Sequence, residues 1–258
     1  IAKLITQNCN RTHLITTIMS HRPLGPVVAL PPAQLPSEVT LIGRTVALTK
    51  LSADHAAQLF PLVGGDDATK IALWDYMADG PFSDPITFQE AIAAKSRSSD
   101  PFYFAVIDIR QNPDPEKGHA VGYLSLMNIV PQHLSIEIGN VLFSPTLQRT
   151  TVATEAFYLA LKYAIDDLGF RRVEWKCNAL NAPSRRAALR LGFTFEGIFR
   201  QHMVIKGRNR DTAWFSMLRE EWEGGVKGAM EEWLQESNFD ESGGQQKSLE
   251  ELRMGRQP

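Results

Sequence analysis

Apolar and polar positions change period several times along the chain, and each change marks an element. Between residues 40 and 48, short apolar stretches flank Gly43 and read as two brief strands. Ser52 heads a helical run over Ala53–Val63, which Gly64–Asp67 breaks. Thr87–Ser96 predicts a second helix, with Glu90 placed to complete a capping box from Thr87. Phe102–Ile109, Ala120–Asn128 and Ser135–Phe143 are apolar, β-rich runs, and the Pro-, Asn- and Asp-dense stretch Gln111–Gly118 makes the first two a hairpin. From Thr154 to Leu168 the period becomes helical, with Ala156, Leu159, Ala160, Tyr163, Ala164 and Leu168 on one stripe and Gly169 as the stop. Arg172–Cys177 predicts a strand and Pro183–Leu191 a helix stopped by Gly192. Phe193–Phe195, Gln201–Ile205 and Thr212–Leu218 are strand-like, the last two joined by a turn at Gly207–Asn209.

This order implies an α+β fold with helices on both faces of a sheet. Prolines 26, 31, 32 and 36 mark residues 1–38 as a flexible arm, and the folded domain is expected over 39–222. Residues 223–258 are acidic and Gly-rich, with a helix expected over Val226–Glu236 and a mobile tail from Ser237.

Composition narrows the function classes. Of 258 residues, 43% are hydrophobic and 22% charged, which supports a sizeable core. A net charge of -2 provides no basic field for a nucleic-acid partner. Cys9 and Cys177 suggest neither a disulfide framework nor a metal site, and a reducing compartment, the cytoplasm, is expected. No apolar run approaches the roughly 20 residues that would cross a membrane. Residues 1–37 hold Lys3, Arg11 and Arg22 but no acid, which reads either as an organellar targeting segment or as an appended stretch ahead of a start at Met19.

Chemistry concentrates at Leu147–Glu155. This stretch lies between a strand and a helix, where free backbone N–H groups and the helix dipole suit a phosphate, with Arg149 able to add charge-assisted bonds. The same signal occurs at many helix starts. Greater specificity comes from the ordered set Glu137–Gly139, Gln148–Glu155, "RVE" at Arg172–Glu174, "NAPS" at Asn181–Ser184, "LGFTFEG" at Leu191–Gly197 and Arg210–Trp214. Together with "TEA" at Thr154–Ala156, the set resembles the GNAT acetyltransferase superfamily, in particular its RimJ/RimL-like branch, over roughly residues 40–222.

That resemblance implies a mixed, mostly antiparallel sheet of six to seven strands with a splay between central strands. It implies acetyl-CoA as acyl donor and an amine acceptor, a protein N-terminus or a small molecule, attacked directly in a ternary complex. The pantetheine arm would lie against Val141, Leu142 and Phe143, with an N–H near Leu142 polarising the thioester. The pyrophosphate would rest on Gln148, Arg149, Thr150, Thr151, Val152, Ala153 and Thr154, and Asn181 would contact the cofactor arm. Thr151 departs from the pattern, which has glycine there for close approach to phosphate. Ser184 matches the position proposed to protonate the leaving thiolate, and equally suits a helix N-cap.

Glu137 is the candidate general base, because alternation sets it opposite Ile136 and Ile138; a solvated sheet residue is the plainer alternative. His202 is a second candidate near the acceptor. Trp74, Tyr76 and Phe82 are candidate walls of the acceptor pocket, with Asp75 or Asp79 to attract a cationic amine. Glu155 and Glu196 read as helix-start and turn residues. Lys206, Arg208 and Arg210, beside Asp211, form a charged hairpin tip, either a solvated turn or a contact for an acidic acceptor or for a phosphate of CoA. A homodimer is among the expectations, as are two rivals: a catalytically weak acyl-CoA-binding regulatory module, and transfer of a different acyl group.

Overall fold

Strands β1 (Leu41–Ile42), β2 (Val46–Lys50), β3 (Phe102–Asp108), β4 (His119–Val130) and β5 (Ser135–Phe143) form an antiparallel run in a computed structural model that describes residues 23–256. β6 (Arg172–Asn178) joins β5 in parallel, and β7 (Thr194–Ile205) and β8 (Arg208–Leu218) complete an eight-stranded sheet ordered β1-β2-β3-β4-β5-β6-β8-β7. The count exceeds the expected six to seven because the stretches on either side of Gly43 form two separate paired strands. Lys3, Cys9, Arg11, Met19 and Arg22 lie outside the described residues.

Both faces of the sheet are covered. Helices α1 (His55–Val63) and α3 (Pro85–Ser96) press Leu59, Val63, Phe88 and Ile92 onto Ala47, Ala105, Tyr123 and Leu142. Between them lie α2 (Ala68–Ile71), capped by Asp67, and a 3₁₀ turn at Ala72–Trp74, both inside a stretch that lacks a clear helical period. The opposite face carries α4 (Thr151–Lys162), continued by a π-turn over Tyr163–Asp167, and α5 (Ala182–Leu191). There Ala156, Ala160 and Ala188 pack toward Phe104, Leu124, Ile136 and Val173. Burial on both faces explains why β3 reads as an unbroken apolar run.

Caps moved several boundaries. Asp84, with Pro85 at the first helical position, accepts from Thr87 N (2.8 Å), so α3 starts before Thr87 and the Thr87–Glu90 box does not form. Ser52 does not cap α1, whose N-cap position is Asp54; the Ser52 N–H instead donates to His55 Nδ1 (3.0 Å). Thr150 caps α4, accepting from Ala153 N (3.2 Å), so that helix begins three residues ahead of the expected Thr154. β7 is one strand where two pieces are expected; Gly197 (φ 153°) and register shifts against β8 at Phe195/Gly197 and Phe199/Met203 break its alternation between those pieces.

The folded unit is longer than 39–222. It begins at Pro31, where Gln34 N bonds Leu168 O (2.8 Å) and Ser37 N bonds the Tyr163 hydroxyl (3.1 Å). Residues beyond 222 do not read as a mobile tail. A short α6 (Arg219–Glu221) and a π-turn lead into α7 (Lys227–Trp233), and α8 (Leu249–Met254) follows with a Ser248–Glu251 capping box. Trp222, Met230, Leu249 and Leu252 enter the main core, and buried Asn238 bonds the carbonyls of Trp233 and Lys247. A few well-placed apolar residues suffice here, which composition alone hides. No helix of the described residues is long and apolar enough to cross a membrane.

Candidate active site

The sheet opens between β5 and β6. Ladder partners exist only for Ser135–Arg172, Ile136–Val173 and Glu137–Glu174; from Ile138 onward the β6-facing edge of β5 has no strand beside it. β5 also carries one extra residue against β4, since Ser125 pairs Gly139 but Tyr123 pairs Leu142. Asn140 absorbs the bulge in a left-handed conformation (φ 47°) and its amide donates to Ser125 Oγ (3.2 Å). The splay widens into a cleft of about 2470 Å³ lined by Val141, Leu142 and Phe143 on one side and by Trp175, Lys176 and Cys177 on the other. An extended ligand with its own amides can pair with such a free strand edge.

At its far end the cleft meets the start of α4. Ser144 O accepts from the N–H groups of Leu147 and Gln148 (3.0 Å each), and the Gln148 amide donates to Phe143 O (2.9 Å), which fixes the loop. Arg149 takes the left-handed turn (φ 62°) and stands exposed. Thr151 occupies the first helical position, so its backbone does not need glycine's freedom; its methyl and hydroxyl change only the space above the helix end. The N–H groups of Thr151 and Val152 have no intrahelical acceptor and point along the axis. Val152 turns its side chain into the core, so it contributes backbone alone. Thr154 accepts from Arg190 Nη1 (3.0 Å), tying α4 to α5. Glu155 is more than a helix-start residue: it accepts from the N–H groups of Arg44 (2.6 Å) and Thr45 (2.9 Å) and holds the β1–β2 turn. A Cβ at Gly43 would lie 2.6 Å from Glu155 Oε1, so a side chain there would displace the carboxylate that holds the turn.

The start of α5 separates two roles that the sequence left joined. Asn181 is the N-cap, its Oδ1 accepting from Ser184 N (3.1 Å). Ser184 is therefore not the cap. Its Oγ accepts from Trp175 Nε1 (2.9 Å), which leaves the hydroxyl proton free to be donated. Burial pushes the thiol of Cys177, another residue of this wall, above its usual range, and the nearby Ser184 hydroxyl draws it partly back.

The other wall of the splay is ionic. Glu137 is buried rather than solvated, and its carboxylate accepts from Lys176 Nζ (2.9 Å) and Asn128 Nδ2 (2.6 Å). Lys176 also contacts Glu174 (2.7 Å) and sits 4.1 Å over the Trp214 ring. Arg172 continues the chain to Glu174 (2.8 Å) and Glu196 (2.6 Å), so Glu196 is a paired strand residue and not a turn residue. Two neighbouring carboxylates shift in opposite directions. Burial pushes Glu137 above the usual carboxylate range, against the pull of Lys176 and Asn128. Burial also disfavours ionised Glu174, but hydrogen bonds from Lys176 and Arg172 outweigh it and hold that group low.

Of the candidate acceptor walls, Tyr76 and His202 line the cleft and Trp74 and Phe82 do not. Trp74 is buried, donates to Val63 O (2.9 Å) and packs edge-on against Phe82 and Phe88. A helical turn at 72–74 swings that indole inward. The Tyr76 hydroxyl reaches Leu180 O (3.3 Å), and His202 shares a hydrogen bond with Thr212 Oγ1 (3.0 Å) beside Trp214. Asp79 is ion-paired with Lys95, so it is not free to attract an amine. Lys176, Arg210, Trp214 and Asn140, unassigned from sequence except as members of strands or the hairpin tip, all line the cleft. Alternation along β6 could have placed Lys176 beside Glu174; its approach to Glu137 depends on the parallel pairing.

Comparison with known proteins supports this geometry. Residues 45–194 match the model of the "Acetyltransferase (GNAT) domain". The crystal structure of a GCN5-related N-acetyltransferase from Brucella melitensis is 42% identical and superposes with a TM-score of 0.80, covering 86% of this chain and 97% of that one. A probable acetyltransferase (GNAT family) structure from Chromobacterium violaceum is 42% identical with a TM-score of 0.70, over 80% of this chain and 99% of that one. "Putative ribosomal N-acetyltransferase YdaF" of Bacillus subtilis is 30% identical over 107 residues, 42% of this chain and 58% of that protein. The matched part of the chain thus spans little more than half the length of that curated relative.

Proposed function

Because the chain belongs to the acetyltransferase (GNAT) family, a family of acyl-transferring enzymes, we propose that it moves an acetyl group from acetyl-CoA to a primary amine. The acceptor is a protein N-terminus or a small amine, and the reaction runs by direct attack with both substrates bound, in the cytoplasm. One observation carries the reading: the β5–β6 ladder stops after three pairs and opens toward the capped start of α4. A free strand edge leading to unpaired helix N–H groups fits an amide-containing arm that ends in a pyrophosphate.

The donor supplies an activated thioester; the chain's residues position and protonate around it. Val141, Leu142 and Phe143 hold the arm by their backbone, with a backbone N–H near Leu142 available to polarise the carbonyl. Gln148–Thr154 receive the phosphates, with Arg149 as a movable cation. Asn181 keeps its amide nitrogen without a protein acceptor among the described residues, available to the donor arm. Ser184 gives its proton to the departing sulfur, its oxygen already polarised by the Trp175 N–H. Glu137 takes the proton of the attacking amine. Its raised pKa makes it a better base than an exposed carboxylate, and Lys176 and Asn128 keep it ionised and oriented. Tyr76 and His202 border the acceptor.

Incubation with acetyl-CoA and a mixed panel of peptides, polyamines and aminoglycosides, followed by thiol release, tests this reading. Release that depends on an amine is expected. Absence of both CoA binding and thiol release overturns it.

A further inference from the structure

The three cations of the β7–β8 hairpin part company in the structure. Lys206 is committed to Trp74 O (2.9 Å), and Arg208 is exposed at the tip. Arg210 lies half-buried in the wall of the cleft and forms no ion pair among the described residues. Its buried Nε has no acceptor. The neighbouring acid does not serve it, since Asp211 accepts from Gln201 N (2.7 Å) and Asn209 Nδ2 (3.0 Å). Burial disfavours the Arg210 charge, and the groups that offset this, Cys177 and Glu137, act without an ion-pair contact.

Strand alternation sets Arg210, Thr212 and Trp214 along one face of β8, leading to Lys176 through the Lys176–Trp214 pair. At that inner end the Glu137 carboxylate lines the cleft beside Lys176, which it must share with Glu174; Arg172 pairs Glu174 and Glu196 outside the lining. The acceptor side of the cleft is therefore dipolar, negative at the proposed base and positive at Arg210.

We propose that Arg210 binds a carboxylate carried by the acceptor, so that the acceptor is an amine bearing an acid group, with its ammonium end directed at Glu137. A guanidinium fork without a protein partner matches a carboxylate in two bonds, and the opposite charges orient a zwitterion in one sense only. The carboxylate can belong to a free amino acid or to an acidic side chain beside a peptide N-terminus. This inference rests on the acyl-transfer reading for the role of the amine, whereas anion binding at Arg210 can be measured without turnover.

The experiment is calorimetric titration of the CoA-saturated protein with L-glutamate, γ-aminobutyrate and a short peptide starting with Asp, each beside its carboxamide counterpart. The acids should bind about tenfold or more tightly than the amides, as loss of a charge-assisted bond implies. Free acids binding in preference to the peptide identifies a small-molecule acceptor, and the reverse identifies a peptide. Arg210→Gln should abolish the preference for acids while leaving amide binding and the melting temperature unchanged, and Arg208→Gln should preserve the preference. Should Arg210→Gln fail to fold, Arg210→Lys, which keeps the charge but loses the fork, is expected to weaken the acids selectively. Equal binding of acid and amide, no binding of either, or a preference that survives Arg210→Gln overturns the proposal. A preference for acids in calorimetry without thiol release from any amine would sink acyl transfer and leave the anion site standing.

Discussion

The two halves of the cleft offer a ligand different kinds of contact. The half at Val141–Thr154 offers backbone: a strand edge freed by the splay and helix N–H groups freed by geometry. The half at Glu137, Lys176 and Arg210 offers side chains, held in a network where each charge depends on its neighbours. Backbone recognition tolerates sequence change, as Thr151 illustrates at a helical position where any residue fits. A side-chain network does not, because removing one partner leaves a buried charge uncompensated. Substitutions on the network side should therefore cost most, and those on the backbone side least.

The sharpest contrast is expected at Lys176, which serves two carboxylates while only 13% exposed. Lys176→Met should destabilise the fold by about 3–5 kcal/mol, read by denaturant unfolding at neutral pH. It should also move the acid limb of the rate profile upward. In the proposed mechanism the base is ionised Glu137, which is present above its folded pKa and lost as pH falls through it. Lys176 now pulls that pKa down, so its removal raises it further. An acid limb unchanged or shifted downward would mean that Glu137 is not the group titrating. Next in size, Glu137→Gln should lower kcat by about a hundredfold or more and remove the acid limb, with CoA affinity kept. Parallel losses in CoA affinity would place Glu137 in the donor half and erase the distinction.

The boundary between these halves also divides what could be read in the chain from what could not. Ser135–Phe143 as a strand, Gly192 as a helix stop and the free N–H groups after Phe143 follow from local period and local capping. The acid–base candidates Glu137 and Ser184 both line the cleft because alternation and helix phase are local properties. The ionic network needs a parallel pairing between segments some 35 residues apart, and no local pattern announces which strands will meet there. Trp74 and Phe82 failed as pocket walls for a related reason. An aromatic in a loop is ambiguous until a helical turn fixes which way it faces, and here α3 offered Phe88 as a partner. The ordered C-terminal segment was hidden because its burial depends on the surface of α5 and α4, not on its own composition.

Ser184 sits where the halves join. Ser184→Ala should reduce kcat by about tenfold or more while CoA binding stays the same, if the hydroxyl acts on the departing sulfur as proposed, because the helix cap belongs to Asn181. It also deprives Trp175 Nε1 of its acceptor, a cost of about 1–3 kcal/mol that thermal unfolding will register. Ser184→Thr keeps a hydroxyl and should recover both. Full activity in Ser184→Ala with the expected loss of stability would reduce the residue to a support for Trp175.

The smallest effects belong to the phosphate end, and they test whether that end recognises by backbone. Thr150→Ala removes the cap of α4 and should cost about 1 kcal/mol of stability, with CoA affinity falling only as far as the helix start frays. Thr151→Gly introduces the glycine that the family resemblance implies at this position, yet the helical backbone gains nothing conformationally from it. It should cost up to about 1 kcal/mol in helix propensity while changing CoA affinity less than threefold, measured by calorimetry. A rise of tenfold or more would show that the threonine side chain, and not the helix dipole and N–H groups, limits the approach of the pyrophosphate. The phosphate end would then be as dependent on side chains as the acceptor end, and the contrast between the two halves would fail at its most exposed point.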